Sequence, residues 1–107
     1  MQVAIKQTET RLDIRLIGEL DHHAAKASMQ KIGNVIDLGL PKACVMDLSA
    51  LTFMDSSGIA VVLNAHKRMA EIGGHFGVIH VPRQAMKVLL ASGIHRIVEI
   101  SEIIETA

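Results

Sequence analysis

The sequence predicts an α/β domain, a small mixed sheet of four to five strands with helices packed against it. Three observations carry that reading. The chain has 107 residues, room for one domain, since domains run to roughly 100–200 residues. Hydrophobic residues make up 50% of it and charged residues 21%, a balance that fills a core and argues against disorder, which needs low hydrophobicity and high net charge. The apolar spacing also switches repeatedly between strict alternation, as on a strand, and recurrence every three or four residues, as on a helix. No repeat, low-complexity tract or linker interrupts the pattern, so residues 1–107 read as one unit.

The elements follow in order. Leu12, Ile14 and Leu16 alternate with Arg11, Asp13 and Arg15, an amphipathic strand that Gly18 ends, and Met1 to Gln7 reads as its hairpin partner across a turn at Thr8 to Thr10. From Asp21 the spacing becomes helical, with Ala25, Met29, Ile32 and Ile36 on one face. Gly39, suited to a left-handed C-terminal residue, and Pro41, which cannot continue a helix, close it. Ala43 to Leu48 is almost continuously apolar, as a central parallel strand covered on both faces would be. Ser49 to Met54 reads as a loop, and a second helix follows Asp55-Ser56-Ser57-Gly58, with Val62, Leu63, Met69 and Ala70 on its apolar side and Gly73-Gly74 at its end. Phe76 to Val81 gives another strand. Pro82 opens a third helix, whose buried side is Ala85, Met86, Leu89 and Leu90 and whose cap is Gly93. Ile97 to Ile100 makes a last short strand, and Ser101, Glu102 and Glu105 a terminal helical turn.

Composition excludes several functions. Eleven basic and eleven acidic residues give no net charge, so nothing draws the chain to nucleic acid or an anionic membrane. Phe53 and Phe76 are the only aromatics, too few for a base-stacking platform or an aromatic cage. The single Cys44 sits in an apolar run and cannot form an internal disulfide, and no apolar stretch approaches the roughly 20 residues that span a bilayer. A cytoplasmic protein is expected.

Catalytic and metal-binding patterns fail the same test. His22 and His23 are adjacent, so on a helix they diverge instead of chelating as an i, i+4 pair, and His66, His75, His80 and His95 read as structural or solvated. The serines of Met54-Asp55-Ser56-Ser57-Gly58 lack the upstream glycine of a nucleophile elbow, and no phosphate-binding Gly-x-x-x-x-Gly-Lys-Ser/Thr is present. No catalytic residue, metal or cofactor is expected.

What remains is Asp55-Ser56-Ser57-Gly58 itself. Asp and Ser are good helix N-caps because their oxygens accept the unpaired amides of a first turn. Two serines and an Asp exceed what one helix start needs, however, and Gly58 gives up helix propensity, which suggests a flat, bare surface that a partner or a phosphate can approach. A phosphoryl group on Ser56 would lie at a helix N-terminus, where dipole and free amides tolerate a dianion. Its effect would be local, up to about two negative charges beside Asp55.

These residues resemble the STAS domains, and within them the bacterial anti-sigma factor antagonists of spore-forming bacilli. Phe53-Met54-Asp55-Ser56-Ser57-Gly58-Ile59 with Val61-Val62-Leu63 is similar to the family's phosphorylation segment, Gly18-Glu19-Leu20-Asp21-His22-His23 to the loop before its first helix, and Ile72-Gly73-Gly74 to a third segment. The resemblance implies a binding protein without catalysis or cofactor of its own. It implies that the unphosphorylated form binds an anti-sigma factor that is also a serine kinase and releases the sigma factor. The kinase then inactivates it by phosphorylating the serine after the Asp, here Ser56, and a metal-dependent serine phosphatase restores it. The choice of Ser56 over Ser57 comes from the family alone. Asp55, Ser57 and Gly58 carry over as recognition context and Asp21 as a contact with the kinase, alongside its equal reading as an N-cap. Alternatives stay open: an antagonist of a different kinase in the stress response, a small-ligand regulatory STAS module, or a small serine hydrolase.

Overall fold

A computed structural model describes residues 1–102. Strands β1 (Gln2–Gln7) and β2 (Arg11–Leu20) form the expected antiparallel hairpin, with Val3 opposite Leu16 and Ile5 opposite Ile14. Helix α1 (His22–Gly39) leads to β3 (Ala43–Asp47) and β4 (Leu51–Met54), helix α2 (Ser57–Glu71) to β5 (His75–Val81), and helix α3 (Arg83–Ser92) through a single 3-10 turn (Ile94–Arg96) to β6 (Glu99–Glu102). The strands are ordered β1-β2-β3-β5-β6, parallel from β2 onward, and β4 also pairs with β2. Among the described residues the sheet thus has six strands, one beyond the expected range.

The additional strand is β4, which falls where a loop was expected. Strand β3 accompanies β2 only over Arg11 to Arg15, and beyond it the chain turns at Ser49 and Ala50 so that β4 occupies the vacated edge beside Gly18 to Leu20. Gly18 does not end β2 either. Its φ of 105° places a register shift there, after which the strand continues to Leu20. Gly39 remains helical, and it is Leu40 that takes the left-handed conformation at φ 45°. The last strand starts later than expected, because the amides of Ile97 and Val98 bond back to the Ile94 carbonyl at the end of the 3-10 turn. Ser101 and Glu102 extend that strand instead of opening a helical turn, and Glu105 lies outside the described residues.

Period-2 alternation decides which side of the sheet is covered. Leu12, Ile14, Leu16, Cys44, Met46 and Val78 point to one face and meet Ile32 and Ile36 of α1, Val61, Val62, Ala65 and Met69 of α2, and Leu89 of α3 in one continuous core. Strand β3 is central and parallel, as expected, yet only this face of it is buried: Val45 and Asp47 on the other side are half-exposed. The helical stripes are also narrower than expected, since Leu63 and Leu90 are exposed. Gly33 lets α1 and α2 approach closely, for a Cβ there would lie 2.8 Å from Nε of Arg68, whose guanidinium pairs with Asp37. Burial, and secondarily the charge of Asp13, push the Cys44 thiol up to about 12, so it is an unreactive core residue.

Candidate functional site

The N-termini of α1 and α2 meet at the end of β2 and β4. Parallel pairing of those strands, with Leu20 opposite Met54, delivers the two following segments, Asp21-His22 and Asp55-Ser56, side by side. The Asp55 amide donates to the Leu20 carbonyl at 3.2 Å, extending the ladder by one bond.

The Asp55 carboxylate then serves both helices. One oxygen accepts the Ser57 amide at 2.8 Å and the other the His22 amide at 3.1 Å, so a single side chain caps α2 and crosses to the first residue of α1. Asp21 caps α1 in the ordinary way: its backbone is extended, and Oδ1 accepts the Ala24 amide at 2.9 Å. Ser56 differs from both. It sits at the N-cap of α2 with helical dihedrals, is exposed, and makes no capping hydrogen bond. Ser57 is half-buried inside the first turn. The five residues picked from the sequence therefore assemble at one place, but only Ser56 presents an exposed side chain without a capping role.

Two expectations about this place are corrected. Gly58 does not leave a bare surface. It is buried, and a Cβ there would come within 2.5 Å of Met54 Cγ and 3.1 Å of Leu20 Cδ2, so glycine is required for α2 to sit down on the two strand ends. Nor does the first turn of α2 offer a set of free amides to an anion, since three of them are already paired. The Ser57 amide is held by the Asp55 carboxylate, the Gly58 amide by the Asp55 carbonyl at 3.0 Å, and the Ile59 amide by the Ser56 carbonyl at 3.2 Å. The Ser56 amide has no hydrogen-bond partner among the described residues, so a phosphate on Ser56 would add charge beside Asp55 and find that single donor.

The model of the STAS domain family matches residues 2–107. The chain belongs to that family. This STAS domain is 32% identical over 100 residues to an anti-sigma F factor antagonist of Paenibacillus polymyxa, covering 94% of this chain and 86% of that protein. It superposes on the unphosphorylated anti-sigma factor antagonist SpoIIAA with a TM-score of 0.80 at 29% identity, over 92% of this chain and 87% of that one. It also superposes on the phosphorylated form of the Bacillus cell fate determinant SpoIIAA, with a TM-score of 0.72 at 29% identity, over 92% and 90% of the two chains.

The histidines of this STAS domain lie apart from any shared ligand set. The exposed His22 and His23 stack edge to face with centroids 6.1 Å apart, the His66 ring lies 6.3 Å from that of Phe76, and His80 Nδ1 is 3.4 Å from Asp47. Among the described residues no group of three or more His, Cys, Asp or Glu is placed to hold a metal ion, and no helix is long and apolar enough to cross a membrane.

Gln84 belongs to the site and had no signal in the sequence. From the first turn of α3 its side-chain amide accepts the Met54 amide at 2.8 Å and donates to the Met54 carbonyl at 2.7 Å. An exposed Gln near a helix start reads as solvated surface. Only the position of β4, itself unread from the sequence, reveals its partner.

Proposed function

We propose that this STAS domain is an anti-sigma factor antagonist of the cytoplasm, without catalysis of its own, switched by phosphorylation of Ser56. The exposed, uncapped hydroxyl of Ser56 at a rigidly built helix start carries this reading, and the names of its relatives support the class of partner. Unphosphorylated, it binds an anti-sigma factor that is a serine kinase and frees the sigma factor. In the inactivating step Ser56 Oγ attacks the γ-phosphorus of ATP in the kinase, the new O–P bond replaces the bond to ADP, and the hydroxyl proton passes to a base of the kinase. A metal-dependent serine phosphatase restores the hydroxyl by hydrolysis, in which water takes the phosphoryl group and inorganic phosphate leaves.

Geometry favours Ser56 over Ser57, since the latter is half-buried and its amide is tied to Asp55. Asp21 and Ser57 flank the acceptor as partner contacts, whereas Asp55 and Gly58 shape it from within. Phosphorylation adds up to about two negative charges beside a carboxylate already engaged by two amides, and the partner surface that met a neutral hydroxyl now meets that charge. The test is intact mass after incubation with an anti-sigma factor kinase and ATP. One phosphoryl group is expected, absent in Ser56→Ala and retained in Ser57→Ala; the reverse pattern overturns the assignment.

A further inference from the structure

We propose that Gln84 is a positioning residue for Ser56: its side-chain amide closes the open edge of β4 and so fixes the chain two residues before the acceptor hydroxyl. This inference rests on the reading of Ser56 as phosphoacceptor. In a parallel pair, successive residues direct their peptide groups to opposite sides of the strand. The Asp55 amide bonds inward to β2, at the Leu20 carbonyl, so the Met54 amide and carbonyl point away from β2. Unlike β3, which has β5 beyond it, β4 has no further strand on that side among the described residues. A primary amide carries a carbonyl oxygen and, syn to it, an N–H donor, so it presents an acceptor and a donor side by side, as one residue of a neighbouring strand would. Gln84 therefore acts as a one-residue surrogate strand, satisfying both Met54 groups at 2.8 and 2.7 Å.

The consequence reaches Ser56 through a short, stiff path. Met54 is held on three sides: by β2 through the strand pairing, by Gln84 through its backbone, and by its buried side chain under Gly58. Ser56 has no side-chain bond of its own, so its place is set by its carbonyl bond to the Ile59 amide and by what holds Met54 and Asp55 before it. Attack on a phosphorus held in another protein depends steeply on such placement, a misplacement of about 1 Å costing on the order of a hundredfold in rate. Losing the Gln84 clamp loosens the approach of the Ser56 hydroxyl.

The experiment reads amide exchange and phosphorylation kinetics on the same variants. Gln84→Met keeps the stem and removes the amide, and Gln84→Ala removes both. Each is expected to speed Met54 amide exchange by roughly 30-fold, as two hydrogen bonds of ordinary strength imply. Each is also expected to lower kcat for Ser56 phosphorylation by about tenfold with KM unchanged within about twofold. Gln84→Glu supplies the signature that a merely structural role lacks. Ionised, it accepts from the Met54 amide but repels the carbonyl; protonated, it regains the donor. Its Met54 exchange rate, divided by that of the wild type, should fall towards one as pH drops from 7 to below about 4.3. A Gln84→Met variant with wild-type exchange and kcat, or one that changes KM alone, overturns the proposal. A wild-type chain that takes no phosphoryl group from a kinase active on another antagonist overturns the phosphoacceptor reading, and Met54 exchange then decides the clamp by itself.

Discussion

The two helix starts at the site each rely on an aspartate and place it differently. At α1 the capping residue and the N-cap position coincide: Asp21 is extended, and its own carboxylate accepts the Ala24 amide. At α2 the capping has moved one residue earlier. Asp55 supplies the carboxylate, while Ser56 stands at the N-cap in helical conformation with no side-chain bond. The first turn of α2 compensates with tight i, i+3 backbone bonds from Gly58 and Ile59, where α1 begins with an i, i+4 bond from Ala25 to Asp21. Moving the cap off the N-cap residue leaves a hydroxyl exposed at a rigid point while the Ser57, Gly58 and Ile59 amides stay paired. The same carboxylate reaches His22, so the start of α1 depends on the cap of α2 as well as its own.

Removing Asp55 should therefore have the largest effect. Asp55→Ala leaves two helix-start amides without their charged acceptor, and about 2–3 kcal/mol of destabilisation is expected in urea unfolding. Exchange of the His22 amide, 33 residues away in sequence, should rise together with that of Ser57. Asp55→Asn keeps one carbonyl oxygen and should lose about half as much. If Asp55→Ala costs no more than an ordinary cap, the bridge between the helices adds nothing.

Asp21→Ala sharpens the contrast from the other side. It removes one cap bond and leaves His22 held by Asp55, so a loss of about 1 kcal/mol is expected, with exchange changes confined to the first turn of α1. An equal response at Ser57 would mean that the two starts are one cooperative unit instead of a bridge with a dominant member.

Which of these features could be read from the sequence follows from how local they are. The helices and the β1-β2 hairpin announce themselves through spacing within a dozen residues, and the Asp55-Ser56-Ser57-Gly58 segment stands out by composition. Strand β4 does not, because its four residues are buried only at their ends, Leu51 and Met54, while Thr52 and Phe53 between them are exposed. That spacing of three breaks the alternation of a strand, and the strand exists because β2 outlasts β3. Everything that depends on β4 was hidden with it. The clamp by Gln84, 30 residues away, is one example, and the burial of Gly58, which needs Met54 and Leu20 already in place, is another. Asp55 could be recognised as a cap from its position before a helix, but its second bond needed the parallel register that sets Leu20 opposite Met54. Leu40 illustrates a smaller failure: glycine is preferred for a left-handed helix end, but the helix includes Gly39 and the left-handed position falls on the next residue.

The smallest expected effect is the one on which the contrast between the two helix starts depends most. An N-cap serine ordinarily stabilises its helix through its hydroxyl, and replacing it with alanine costs about 0.5–2 kcal/mol. Ser56 occupies that position, but its hydroxyl makes no such bond, so Ser56→Ala should change unfolding free energy by less than about 0.5 kcal/mol, as at an unremarkable surface site. A cost near that of Asp21→Ala would mean that the hydroxyl caps α2 in solution and must leave the cap before it can react. Phosphorylation would then weaken the helix start as well as change the charge of the surface. An unchanged stability would separate the two roles: Asp55 holds the structure, and the Ser56 hydroxyl is left free for chemistry, so loss of phosphoryl acceptance in Ser56→Ala would report the missing hydroxyl and not a damaged fold.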